Sequence, residues 1–160
     1  MKKRMRSAVA LSLALLFALG AAACGGESKP AQPDVNEVMS ALLEKAPISG
    51  SLELSQEDML NFYGIQADQM EAFSAQLAAD GITANEIVLV KAVDEESADA
   101  VEDKLETRLE ARRNEFNNYL PDQYAVVEQS EVQRNGVYVC LIISPQQDAL
   151  TELYDSYFNS

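Results

Sequence analysis

The chain has 160 residues, with 12 Lys and Arg against 26 Asp and Glu, a net charge of −14, two Cys, no His and no Trp. That length suits one domain, and 48% hydrophobic residues beside 24% charged ones supply enough apolar material for a core. Without His there is no Ser-His-Asp or Cys-His catalytic site, no His-ligated metal and no imidazole switch, and the acidity opposes nucleic acid as a partner.

Residues 1–6, Met-Lys-Lys-Arg-Met-Arg, form a basic opening, and the run from Ala8 to Ala23 is apolar apart from Ser12 and Gly20. This is the layout of a secretory signal peptide over 1–23. It holds Lys2, Lys3, Arg4 and Arg6 and no acid, so the chain after Ala23 is more acidic than the whole. The run is shorter than the roughly 20 apolar residues of a membrane span. Ala21-Ala22-Ala23-Cys24 resembles the lipobox of bacterial lipoproteins, in which the Cys thiol takes a diacylglycerol and becomes the N-terminus, although Ala21 stands where Leu is usual. Ala21 and Ala23 also fit the ordinary signal peptidase, which would release a secreted protein. Gly25-Gly26-Glu27-Ser28-Lys29-Pro30-Ala31-Gln32-Pro33 is apolar-poor and gives an anchored domain its tether. The expected layout is therefore a signal peptide over 1–23, a lipid-anchored tether over 24–33 and a single domain over 34–160. Cys24 is the expected lipidation site, and its two acyl chains would hold the protein stably on the outer face of the cell membrane.

Asp34 opens a helical pattern, with Glu37 three residues on and Val35, Val38, Met39, Leu42 and Leu43 on one face; Pro47 and Gly50 end it. Ser55 and Asp58 mark a second, short helix whose Met59, Leu60, Phe62 and Tyr63 supply apolar surface before Gly64. Over 67–79 two patterns compete. Alanine favours helix, while Glu71, Phe73, Ala75 and Leu77 alternate as strand residues do. Asp80-Gly81 then turns the chain towards a β-branched run over 86–93 that reads as a buried strand, and the favoured reading pairs the two segments as strands.

The longest helix is expected over Asp94–Tyr119. Acidic residues at 94, 95, 96 and 99 suit its positive N-terminal dipole, Ala98, Val101, Leu105, Leu109 and Phe116 form one stripe, and Pro121 stops it. Strands over 124–133 and 137–143 flank Asn135-Gly136, a hairpin signal that sets Arg134 against Val137 and Val132 against Val139. In that register Cys140 shares a side with Tyr138 and Ile142, lies opposite Glu131 and faces the less covered side of the sheet. Ser144-Pro145 precedes a last helix with Leu150, Leu153, Tyr154, Tyr157 and Phe158 inward. Without alternating β-α-β units this order implies an α+β fold: an antiparallel sheet of about four strands with helices packed mainly on one face.

Taken together, Phe62-Tyr63-Gly64-Ile65, Glu86-Ile87-Val88-Leu89-Val90-Lys91, the stretch from Arg108 through Phe116 to Tyr119-Leu120-Pro121, and Asn135-Gly136-Val137-Tyr138-Val139 resemble a Firmicute lipoprotein family, the domain of unknown function 4358, over roughly Ser51 to Ser160. The resemblance implies a Gram-positive, membrane-anchored extracellular protein. It implies no activity and brings no functional residues with it.

Lys104, Arg108 and Arg112 recur every four positions beside the apolar stripe and are the candidate contact for an anion or a partner. A plainer role competes, because long basic stems cover the edge of an apolar face and basic groups complement a helix C-terminus. Cys140 has neither His nor an obvious base beside it, so packing is its default role over nucleophile. Asp94, Glu95, Glu96, Asp99, Glu102 and Asp103 lack the alternating ligands and central Gly of an EF-hand, so no metal is expected, and no cofactor is implied elsewhere. No carboxylate pair stands out for glycoside hydrolysis, and the six tyrosines sit mostly at apolar positions that suit a core. The function expected is that of a non-catalytic extracytoplasmic lipoprotein that binds an envelope protein or a small ligand. The alternatives are a small envelope enzyme with unidentified catalytic groups and a solute- or metal-binding lipoprotein.

Overall fold

The structure, a computed structural model, describes residues 32–159. The expected signal peptide, Cys24 and nearly all of the tether lie outside the described residues. In chain order the elements are α1 (Val35–Lys45), β1 (Ser51–Glu53), α2 (Gln56–Tyr63), a 3-10 turn (Ala67–Gln69), β2 (Met70–Ala78), β3 (Glu86–Ala92), α3 (Glu95–Phe116), α4 (Pro121–Glu128), β4 (Val132–Asn135), β5 (Tyr138–Ile143) and α5 (Gln147–Ser156). The strands form one antiparallel sheet ordered β1-β2-β3-β5-β4. The class is α+β, with five strands where about four were expected. The extra one, β1, has three exposed residues and is too short to leave a periodic signal.

Local chemistry explains the starts. Asp34 accepts from the Asn36 and Glu37 amides to open α1, Ser55 and Asp58 close a reciprocal capping box on α2, and Asp94 accepts from the Ser97 amide to open α3. The contest over 67–79 resolves as strand from Met70, because β2 pairs along β3 (Phe73 with Val90, Ala75 with Val88) and that ladder outweighs alanine's helical preference. On α2, Met59 and Tyr63 are buried, whereas Leu60 and Phe62, expected to pack, are exposed.

Helices cover both faces of the sheet, which corrects the expectation that they pack mainly on one. Val88, Val90, Val139, Leu141 and Ile143 face α2, α3 and α4 through Met59, Leu105, Leu109, Phe116 and Val127. Ile87, Leu89, Tyr138, Cys140 and Ile142 face α1 and α5 through Val38, Leu42, Leu150 and Tyr154. The reason lies in β3 and β5, which are apolar on both sides over almost their whole length, and such strands need a second layer of cover.

Three further expectations change. α3 ends at Phe116, and Pro121 begins α4 instead of only stopping the previous helix. Proline suits the first helical position, where its missing N–H costs nothing, and Val127 is drawn into the core; residues 124–128 are thus helix, and the strand begins only at Val132. The hairpin pairs Asn135 with Tyr138, Arg134 with Val139 and Val132 with Leu141, two residues from the expected register. Gly136 takes positive φ, +60°, and is the first residue of the turn, while Asn135 stays in the strand. A shift of two keeps every side chain on its face, and Val132 still lies with Leu141. Cys140 is opposite Gln133, not Glu131, and lies beneath α1 and α5 rather than on a less covered side.

The domain has two distinct ends. Asp34 and Val35 share a hollow with Glu71, Lys91 and Tyr138, so the chain enters at the Lys91 end of β3. α1 then runs towards the other end, where Ala46 and Ile48 pack with Ala78. Glu86 sits at that second end, about 16 Å away at roughly 3.3 Å per strand residue. The 22 residues of α3, about 33 Å of helix, start beside the hairpin and finish beside the β2–β3 loop.

Candidate functional site

Two members of the expected basic row, Arg108 and Arg112, converge on a residue read from the sequence as part of a strand. Glu86, the first residue of β3, has 0% exposure. Arg108 grips it with two parallel bonds, Nε to Oε1 at 2.9 Å and Nη2 to Oε2 at 2.8 Å, and the Tyr63 hydroxyl donates to Oε1 at 2.9 Å. Arg112 adds its charge with Nε 3.4 Å from Oε2, bonds Glu115 at 2.6 Å and reaches the Thr83 carbonyl at 3.4 Å. The two guanidinium groups also lie over rings, Arg108 over Tyr63 at 5.3 Å and Arg112 over Phe116 at 4.6 Å. Lys104, the third member, donates to Gln69 Oε1.

The electrostatics follow from burial. Loss of water pushes the Tyr63 hydroxyl pKa well above its ordinary value, and the Glu86 charge pushes it further, so Tyr63 is a neutral donor. Burial works against the Arg108 charge, but its bonds to Glu86 and the Glu86 field outweigh that, and its pKa is raised. Arg108 and Arg112 are thus already paired within the domain, where an incoming anion competes with a buried carboxylate, whereas Lys104 meets only the neutral amide of Gln69. The sequence did carry a signal for Glu86: a carboxylate heading a fully apolar run must find a cation.

Other reactive-looking groups are also committed. Arg134 on β4 binds Glu95 at 2.6 Å, Asp99, and Glu102 at 3.2 Å, which ties the acidic opening of α3 to the hairpin. Among the described residues no group of three or more Cys, Asp or Glu is arranged to hold a metal ion. Cys140 is 1% exposed, and desolvation, with a smaller contribution from Asp155, raises its thiol pKa well above the ordinary value. A protonated thiol sealed between sheet and helices is a packing group. Tyr63, Tyr138 and Tyr154 are core residues, whereas Tyr119 is 82% exposed.

One stretch of uncommitted apolar surface lies at the Glu86 end. The β2–β3 loop is fixed by Asp80, whose Oδ1 accepts from the Ile82 and Thr83 amides at 3.0 and 2.8 Å and whose Oδ2 accepts from the Thr83 hydroxyl at 2.6 Å. Gly81 supplies the positive φ, +71°, that the turn requires. Gln123 of α4 accepts from the Ala84 amide at 2.8 Å and pins the loop to the helix. Between them runs an open groove of about 270 Å³, lined by Ile82, Thr83, Leu120, Pro121, Asp122 and Gln123. Ile82, 63% exposed, forms one lip, and Tyr119 precedes the opposite wall. No cue singled this place out in the sequence, because its walls come from segments about 40 residues apart.

A family model described as a domain of unknown function (DUF4358) matches residues 44–144. No curated protein and no solved structure matches the chain. The matched stretch contains the whole sheet, α2, α3 and α4, and with them the Glu86 network and the groove. It omits α5 and most of α1, the two helices that cover the Cys140 face.

Proposed function

The chain belongs to the DUF4358 family, and on that premise we propose that it is a non-catalytic lipoprotein of the Gram-positive cell envelope, a binding module held to the outer face of the membrane through Cys24. The observation that carries this reading is the contrast between spent charge and free apolar surface. Arg108, Arg112 and Arg134 are each tied to carboxylates, while Ile82 and Tyr119 stand exposed at the end opposite Asp34. Large exposed apolar side chains beside a groove favour contact with a partner over chemistry on a substrate. The anchor is supported by Ala21-Ala22-Ala23-Cys24 and by the apolar-poor segment running to Pro33. Ten tether residues span at most about 36 Å. The tether joins at the end opposite the groove, which leaves the groove free to face away from the membrane, and the net negative charge of the domain repels anionic lipid.

The test is crosslinking on intact host cells followed by capture and mass spectrometry, with Cys24→Ser as control. The wild-type chain should recover a partner in near-equal amount. The variant should lose it, and should move to the medium or persist as an uncleaved precursor. Unchanged anchoring and processing would overturn lipidation, and failure to recover any specific partner would overturn the binding role.

A further inference from the structure

We infer that the groove between the β2–β3 loop and α4 docks a segment of a partner polypeptide that inserts one large apolar side chain and carries Lys or Arg on either side of it. This rests on the reading of the domain as an envelope binding module. The apolar half of the match comes from the walls: Ile82, Leu120 and Pro121 surround a volume of about 270 Å³, room for a large side chain and its neighbours but small for an enclosed drug-sized ligand. The groove is preformed. Asp80, Gly81 and the Gln123–Ala84 bond hold the loop, and Arg112 holds it from behind through the Thr83 carbonyl, so little ordering remains when a partner binds.

The charged half comes from what surrounds the walls. Asp122 lines the groove, and Asp80 sits behind the Ile82 lip, its bonds to the Thr83 hydroxyl, the Ile82 amide and the Thr83 amide holding its carboxyl below the usual range. Arg112 reaches this loop, but its charge is matched by Glu86 and Glu115. The local field is negative within a chain of net charge −14. That field repels an anionic lipid surface and repels a second copy presenting the same carboxylates, and it attracts cationic flanks.

The test uses the intact chain in detergent and two pools of fluorescein-labelled heptapeptides. Each pool has a central leucine, phenylalanine, tyrosine or tryptophan; one has lysine flanks and the other glutamate flanks. Fluorescence anisotropy should show binding of the lysine pool only, weakening as salt is raised. Ile82→Ser should reduce the affinity about tenfold, as expected for one large apolar contact, and Asp122→Asn should reduce it several-fold. Val93→Ser, which alters an exposed apolar residue beyond the other end of β3, should change nothing. Equal binding of both pools, no binding of either, or indifference to Ile82→Ser overturns the proposal. A photo-crosslinking residue placed in cells at Tyr119 or at Asp148 on α5 separates this failure from failure of the wider reading. Capture from position 148 alone preserves a binding module and overturns the groove; capture from neither overturns both.

Discussion

Glu86 is the residue on which the interior of this domain turns, because a carboxylate with no contact to water must be satisfied by what the fold brings to it. Its partners come from two helices, Tyr63 from α2 and Arg108 and Arg112 from α3, so the carboxylate fixes how both helices sit on the sheet. Such a network is weak evidence of net stability, since desolvation offsets attraction, but removing one member is costly. Tyr63→Phe should lower stability at pH 7 by about 2 kcal/mol, the scale of a hydrogen bond to a charged group, measured by urea unfolding. The same variant has a signature in alkali. The folded protein holds the Tyr63 proton above the ordinary pKa of 10.0, whereas the unfolded chain releases it, so this contribution is present below about pH 10 and lost as pH rises. The unfolding midpoint should therefore fall less steeply above pH 10 in the variant than in the wild type; identical slopes would remove Tyr63 from the titration. In the sequence the row of Lys104, Arg108 and Arg112 was legible from its spacing. Its target was not, because Glu86 lies 22 residues before Arg108 and the two meet only through the docking of α3 on β3.

At the scale of elements, the signals that held were those closed within a few residues. The caps at Asp34, Ser55 and Asp94 depend on neighbours two or three positions away, and each helix begins beside its cap. α4 was missed because Val126 and Val127 look like strand residues, and only the core contact of Val127 and the position of Pro121 decide for helix. The hairpin is legible as a hairpin but two residues out in register, since Asn-Gly suggests a turn on those two residues, whereas the chain turns at Gly136 and Val137 and keeps Asn135 paired with Tyr138. Asp94 offers a direct test of cap electrostatics. Its bonds to the Ser97 amide and side chain hold its pKa below 3.8, so the folded state loses this contribution as pH falls below the ordinary carboxylate range. Asp94→Asn keeps an acceptor for the cap, so α3 should persist at pH 7 by circular dichroism. Between pH 4 and 2 the variant should lose stability less steeply than the wild type. A parallel acid limb would mean that Asp94 titrates as it does in the unfolded chain.

For the molecule as a whole, the charge of −14 opposes compaction, while the ion pairs of Arg134 and of Lys91 with Glu71 favour it. Both answer to salt, in opposite directions. Exposed pairs contribute little individually, so general repulsion should win. Raising sodium chloride from about 0.02 to 0.5 M, which shortens the screening length several-fold, should raise the melting temperature by about 3 °C. A fall on adding salt would show that the local pairs dominate. The α+β class was legible at this scale because the order of helices and strands lacks β-α-β alternation. Cover on both faces was not, since nothing local to α1 or α5 says which side of the sheet each will take.

That cover gives the two ends of the chain a shared task. α1 and α5, the first and last helices among the described residues, lie against each other and together close the Cys140 face. On the proposed export from the N-terminus, Val38, Met39 and Leu42 emerge long before Leu150 and Tyr154. This face cannot be completed piecemeal; it waits for α5, and until α5 docks Cys140 is open to any thiol reagent. The buried cysteine thereby acts as a clock, its protection marking the moment at which α5 has docked.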